Sequence, residues 1–302
     1  MSSFQNIPNL YLVGAPKCGT TTLSNFLSSH PQIFAGHIKE PFYWSSDMPF
    51  FAHREGVSHY SDYLAIYAAA PNETKYCLDS STHYLYSKVA AKRIMSAVEN
   101  SKFIVCFRPQ HELAIAWHMQ MCNAGYEDIK DFRKAWDLRK IRRNGEKIPK
   151  CCPEPLLLDY ESVASVGDQM ARMLSHVDAA NVFVISLEHL KSNPEDVLNS
   201  CMNFLGLKAE ITEPLATSNP AFVNRSAVIS RFIRLPVVRR GTNAALSIVP
   251  SDYRKKIKRT VRFFLYKTQE RQELDEGFLE DLKNEFKEDS EKLSDCVRLC
   301  CT

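Results

Sequence analysis

Apolar and polar positions in this chain fall into two patterns. Short continuous apolar runs, bounded by turn residues, occur at Leu10–Val13, Lys102–Phe107 and Asn181–Leu187. Such runs predict strands buried on both faces, as in a parallel sheet. A shorter apolar pair at Ile33 and Phe34 predicts a brief second strand. Between the runs, apolar residues recur at three- and four-residue spacing. Leu23, Phe26 and Leu27 mark a helix after Gly19, and Val163, Val166, Met170, Met173 and Leu174 mark one within Glu161–Val177. Further helices are predicted after Arg108, over Phe132–Arg143 (strongly basic), up to Leu205, and over Leu274–Leu293. Strands alternate with helices, and no repeat or low-complexity linker interrupts them. The pattern predicts a single α/β domain over residues 1–302 with a small parallel sheet flanked by helices in three layers.

The join between the first strand and the first helix, Gly14-Ala15-Pro16-Lys17-Cys18-Gly19, carries the chemistry. A strand, a glycine loop and a helix N-terminus together hold an anion, because free backbone N–H groups and the helix dipole both face it. Thr20, Thr21 and Thr22 follow and can cap the helix. The loop makes the fold P-loop-like, but it is not a Walker A sequence. That motif places lysine directly after its second glycine; here Thr20 follows Gly19 and the lysine sits inside the loop at Lys17.

Composition narrows the picture only slightly. The 302 residues are 45% hydrophobic and 24% charged, ordinary for a globular protein. The net charge of +3 is too small to indicate nucleic acid, although it suits a polyanionic nucleotide. Residues 1–9 are polar and the apolar run after them is too short for a signal core or a membrane span, so a cytoplasmic location is expected. The ten cysteines lack metal-type pairing and read as reduced, mostly buried thiols, with no metal site.

The order Lys17-Cys18-Gly19-Thr20-Thr21 resembles the 5′-phosphosulfate loop of sulfotransferases that use 3′-phosphoadenosine 5′-phosphosulfate (PAPS). The resemblance is to the soluble bacterial and glycan-modifying type. It implies PAPS as cosubstrate, 3′-phosphoadenosine 5′-phosphate (PAP) as product and no metal. Lys17, with Cys18, Gly19 and the three threonines, would hold the 5′-phosphate. A Lys39-Glu40-Pro41-aromatic segment follows where the family places its general base, which makes Glu40 the first candidate; a solvated turn is the alternative. His83 and His37 are rival bases, although a lone histidine such as His83 is more often a structural residue. Family members often carry Gly-Glu-Ala/Lys-Ser near residue 79. Here Asp79 takes the acidic position, and Ser80 stands where some relatives have a catalytic lysine.

After the Lys102–Phe107 strand, Arg108 matches the family arginine that binds the 3′-phosphate. The serine expected eight residues later is Ala116, which offers no hydroxyl. Asn219 and Arg225 fall in a segment resembling the late loop over the adenosine, and Arg225 could offset Ala116. The aromatic-rich stretch Phe50–Ala70 either covers the acceptor or packs a core. Gly125–Pro155 is either a substrate lid or a solvated insertion. The implied reaction is sulfuryl transfer to a hydroxyl or amine of a small-molecule or carbohydrate acceptor. No nucleic-acid or membrane partner is implied, and a homo-oligomer is allowed. Two rivals stay open: a nucleotide kinase, and a catalytically silent nucleotide-binding relative.

Overall fold

The computed structural model describes residues 6–52, 57–208, 222–224, 266–268 and 274–301. Its centre is β1 (Leu10–Gly14), whose five residues are all buried. β3 (Tyr76–Asp79) lies on one side and β4 (Lys102–Phe107) on the other, both parallel to it. The short β2 (Ile33–Ala35) extends the sheet beyond β3, and β5 (Val182–Ser186) extends it beyond β4. The order is β2-β3-β1-β4-β5, parallel throughout. Tyr11 and Phe103 stack across the β1–β4 pair with ring centroids 5.5 Å apart.

This order places the chemistry. From β1 the chain passes to the edge strand β2 and back to β3 beside β1, then crosses to add β4 and β5 on the other side. Such a reversal leaves a crevice at the carboxyl ends of the central strands, where open α/β sheets take ligands. Gly14, Asp79 and Phe107 end the three central strands at that edge.

The chain divides into two compact units. One comprises Met1–Ala114, Glu161–Thr217 and Glu276–Thr302, and contains the five-stranded sheet. The other comprises Ile115–Tyr160 and Ser218–Asp275. In the second unit, the antiparallel pair Phe222–Asn224 and Tyr266–Thr268 is described.

Several predicted helices are divided. The Glu161–Val177 helix is broken at Ser165 (ψ 68°), giving α8 (Tyr160–Ala164) and α9 (Val166–Leu174). Asp289 explains how α9 starts there. Its carboxylate accepts from the Gly167 and Asp168 amides at 3.0 and 2.8 Å, satisfying two otherwise orphaned donors. The last helical stretch is also two helices, Glu276–Glu285 and Lys287–Cys300, separated at buried Phe286.

The basic Phe132–Arg143 helix becomes two short ones, Phe132–Asp137 and Arg139–Arg143. Arg133, Lys134, Lys140 and Arg143 are exposed, but the other two basic residues are not. Arg142 is buried in a bidentate pair with Glu127 (2.5 and 3.0 Å), and buried Arg139 lies over the Trp136 ring. All ten cysteines are free thiols. Among the described residues, no helix is long and apolar enough to cross a membrane.

Candidate active site

Beyond β1 the backbone turns sharply, and its two glycines are sterically required. Gly14 has φ +150°, and a Cβ there would lie 2.8 Å from the Thr82 carbonyl oxygen. Gly19 has φ +83°, and its Cβ would lie 2.9 Å from Leu187. Between them Lys17 also has positive φ (64°), a conformation a side chain disfavours and surroundings must hold. The loop is tied to the sheet by the Ala15 amide, which donates to the Cys106 carbonyl at 2.6 Å. Helix α1 (Thr20–Leu27) starts directly after Gly19, with no side-chain cap and no acidic residue in its first turn. Its N-terminal amides therefore have no carboxylate of their own helix to face.

Lys17 reaches solvent, but burial of part of its side chain lowers its pKa, and the neighbouring Arg108 guanidinium lowers it further. Cys18 is buried, with its thiol pushed up to about 12 chiefly by burial. Its contribution to a ligand is thus its backbone N–H, not a thiolate. Thr20 is buried and Thr21 exposed, and Lys39 Nζ donates to Thr21 Oγ1 at 3.3 Å. The Lys39–Glu40 segment therefore returns to the start of α1.

Arg108 follows β4 and is buried. Its Nη2 pairs with Glu112 on α5 (Gln110–Ala124), while its buried Nε has no hydrogen-bond partner among the described residues. A buried guanidinium with an unfilled donor suits an incoming anionic oxygen. Ala116 lies half-buried further along α5. Asn219 and Arg225 lie outside the described residues.

Glu40 has φ +57°, and its Oε1 accepts from Thr82 Oγ1 at 3.4 Å. Thr82 thus faces both Gly14, through its carbonyl, and Glu40, through its hydroxyl. His83 is buried, stacked on Phe51 (4.2 Å between centroids) and edge-on to Phe42 (5.5 Å). Its ring is part of an aromatic cluster. His37 is exposed on the segment that leads to Glu40. Ser80, at the position of the absent lysine, is buried and hydrogen-bonds Ser24 of α1 at 2.9 Å. The structure thus brings Lys17, the threonines, Lys39 and Arg108 around one loop, with Glu40 joined to the same edge through Thr82. Sequence reading missed Glu112 and Thr82. Glu112 sits four residues after Arg108, a spacing that flags an ion pair; nothing local flags Thr82. Among the described residues, no cluster of three or more His, Cys, Asp or Glu side chains is arranged to hold a metal.

The chain is similar to known proteins. The profile of the family described as "Sulfotransferase domain" matches residues 8–219. The mouse bifunctional heparan sulfate N-deacetylase/N-sulfotransferase 3 is 23% identical over 214 residues, covering 67% of this chain but 22% of that protein. Human carbohydrate sulfotransferase 15 is 32% identical over 87 residues, 28% of this chain and 16% of that one. The chain therefore spans about a fifth of the length of such curated relatives. A crystal structure of a sulfotransferase from Alicyclobacillus acidocaldarius superposes with a TM-score of 0.61 at 22% identity, covering 79% of this chain and 90% of that one. That likeness establishes the fold, a five-stranded parallel sheet flanked by helices. With the profile spanning most of its length, from before β1 to beyond β5, the chain belongs to the sulfotransferase domain family.

Proposed function

We propose that this chain transfers the sulfuryl group of PAPS to a hydroxyl or amine of a small-molecule or carbohydrate acceptor. The observation that carries this reading is the loop from Gly14 to Gly19. It presents one lysine and a run of backbone amides at the helix N-terminus, with a buried arginine beside it. Lys17 and the loop amides stabilise charge on the departing 5′-phosphate oxygen. Thr20, Thr21 and Thr22 hold the same phosphate, and Arg108 holds the 3′-phosphate. Glu40 accepts the proton of the attacking hydroxyl or amine as the new bond to sulfur forms. The sulfur–oxygen bond to the phosphate breaks, and PAP leaves with that electron pair. Glu40 is preferred over His83 because His83 is enclosed by Phe42 and Phe51. His37 is exposed and remains the second choice.

The test is PAP release from PAPS in the presence of de-N-sulfated heparan, chondroitin or p-nitrophenol, with excess EDTA. Turnover on at least one acceptor is expected. Lys17→Ala should lower it by about 10²–10³-fold with the fold intact. Loss of turnover in EDTA, with magnesium-dependent phosphate transfer from ATP, would establish the kinase instead. PAP binding without turnover on any acceptor would indicate a silent relative, a reading favoured by Ser80 standing at the lysine position.

A further inference from the structure

Glu40 lies on a segment between β2 and α2 (Pro49–Ala52) that has no regular structure. Both Glu40 and Phe42 adopt positive φ, 57° and 55°. Side chains disfavour that region, so the conformation persists only where neighbours over-determine it. Those neighbours share one anchor. The Phe42 amide donates to Ser81 Oγ at 3.0 Å, and the Trp44 amide to the Tyr84 hydroxyl at 3.3 Å. The Trp44 indole N–H donates to the Tyr63 hydroxyl at 3.0 Å. All three hydroxyls pass their own hydrogens to Asp79. Ser81 Oγ donates to Oδ1 at 2.6 Å, and Tyr63 and Tyr84 donate to Oδ2 at 2.8 and 2.9 Å. The Ser81 amide completes the set at 3.0 Å.

The direction of these bonds matters. A hydroxyl has one hydrogen, and an ionised carboxylate can only accept. With Asp79 at the centre, each hydroxyl must point its hydrogen inward and its lone pairs outward, toward the N–H groups of Phe42 and Trp44. A neutral amide would not impose that direction. Asp79 is fully buried, and burial raises its pKa even against four hydrogen bonds. A buried acid is a poor device for stability alone. The same stretch also abuts the donor loop. The Leu85 amide donates to the Val13 carbonyl at 2.9 Å, and the Thr82 carbonyl blocks any side chain at Gly14.

We infer that Asp79 is a positioning residue: through Ser81, Tyr63 and Tyr84 it fixes the backbone from Phe42 to Trp44 and thereby sets Glu40 against the loop that carries Lys17. This rests on Glu40 being the base, so Glu40→Gln is measured beside the Asp79→Asn and Ser81→Ala variants. Hydrogen exchange of the amides of residues 42–48 should quicken in both network variants. Protection of residues 10–27 and affinity for PAP should stay as in the wild type. The kcat should fall by up to about 10²-fold with KM for PAPS unchanged, because a small misplacement of a reacting group is amplified. Ser81→Thr, which keeps the hydroxyl, should restore kcat relative to Ser81→Ala. Should Asp79→Asn not fold, Ser81→Ala decides alone. Wild-type exchange over residues 42–48 in the network variants, or wild-type kcat in them while Glu40→Gln abolishes turnover, overturns the inference. If Glu40→Gln itself keeps full turnover, the assignment of the base has failed and Asp79 is a scaffold residue only.

Discussion

Under the proposed function, Lys17 must combine two demands that conflict in solution: a charge for a phosphate and a site partly withdrawn from water. Burial and Arg108 together hold its pKa below 10.5. The ammonium is the form that binds an anion, and it is lost as pH rises through this lowered value. Affinity for PAP, measured by calorimetry, should therefore fall with rising pH earlier than an ordinary lysine would make it, and Lys17→Met should abolish that slope. Equal slopes in the two proteins would place Lys17 away from the anion. Arg108 yields a second prediction. Its guanidinium is paired with half-exposed Glu112, so a phosphate must compete with that carboxylate. Glu112→Gln should tighten PAP binding by about threefold to tenfold, roughly 0.6–1.4 kcal/mol. Arg108→Ala should weaken it by more. Unchanged affinity in Glu112→Gln would mean the pair does not have to open. Lys17 was singled out because it sits in a glycine loop between an apolar run and a helix, an order that resembles the family's phosphosulfate loop, and Arg108 because it ends an apolar run where the resemblance places an arginine. Glu112 was missed although its i+4 spacing from Arg108 on a predicted helix marks an ion pair. Asp79 was noted at the family's acidic position, but its role was not legible, because Tyr63 and Tyr84 make it a buried centre only once the chain is folded.

Elements were legible where their apolar residues form long runs. β1, β4 and β5 lie within a residue of the predicted runs. β3 was not seen as a strand, since Tyr-Cys-Leu-Asp is only four residues and ends in a charge. The breaks at Ser165 and Phe286 were invisible because apolar spacing continues across them. In the basic stretch 132–143, left open between a lid and a solvated helix, nothing local showed that Arg139 and Arg142 are buried while the other basic residues are exposed. Burial alone would raise the Glu127 carboxyl, but hydrogen bonds from Arg142 and Tyr160 outweigh it and leave the pKa below the usual carboxylate value. A depressed acid stabilises the fold above its unfolded pKa, and that stability is lost as pH falls through the folded one. Denaturant unfolding of the wild type should show this acid loss, and Glu127→Gln should show less of it. Arg142→Ala leaves Glu127 buried without its cation and should cost about 3–5 kcal/mol. A change under 1 kcal/mol would mean that the pair is solvated on a timescale the geometry does not suggest.

For the whole molecule, the sequence pattern led to a parallel α/β sheet with the Gly14–Gly19 loop at its carboxyl edge. The order β2-β3-β1-β4-β5 was not legible, because identical apolar runs pair equally well in several orders. The family match also stops at residue 219, well short of the structural unit it describes. Glu276–Thr302 belongs to the unit that holds the sheet. Helix Lys287–Cys300 packs on α9 and on β5, burying Leu293 and Cys296. Its Asp289 accepts from the Gly167 and Asp168 amides and from Gln110 Nε2 at 3.0 Å, and Ser290 donates to the Gln110 carbonyl oxygen at 3.1 Å. One late helix therefore fastens the starts of α9 and α5, the latter just after Arg108. Phe278, Leu282 and Phe286 are buried as well. At about 1.5–3 kcal/mol for each large apolar side chain, these and Leu293 supply roughly 6–12 kcal/mol as an upper bound. That is comparable with the entire stability of a typical domain, about 5–15 kcal/mol. A chain ended at residue 219 contains every candidate catalytic residue among those described, yet it should lack a cooperative unfolding transition and fail to bind PAP. Asp289→Ala in the full chain isolates the fastening itself and should lower stability by about 2 kcal/mol, from the lost cap and its hydrogen bonds. Denaturant melts of the three proteins give the answer. A cooperative transition at the full chain's midpoint in the shortened protein would show that the sheet and its loop stand without the last two helices.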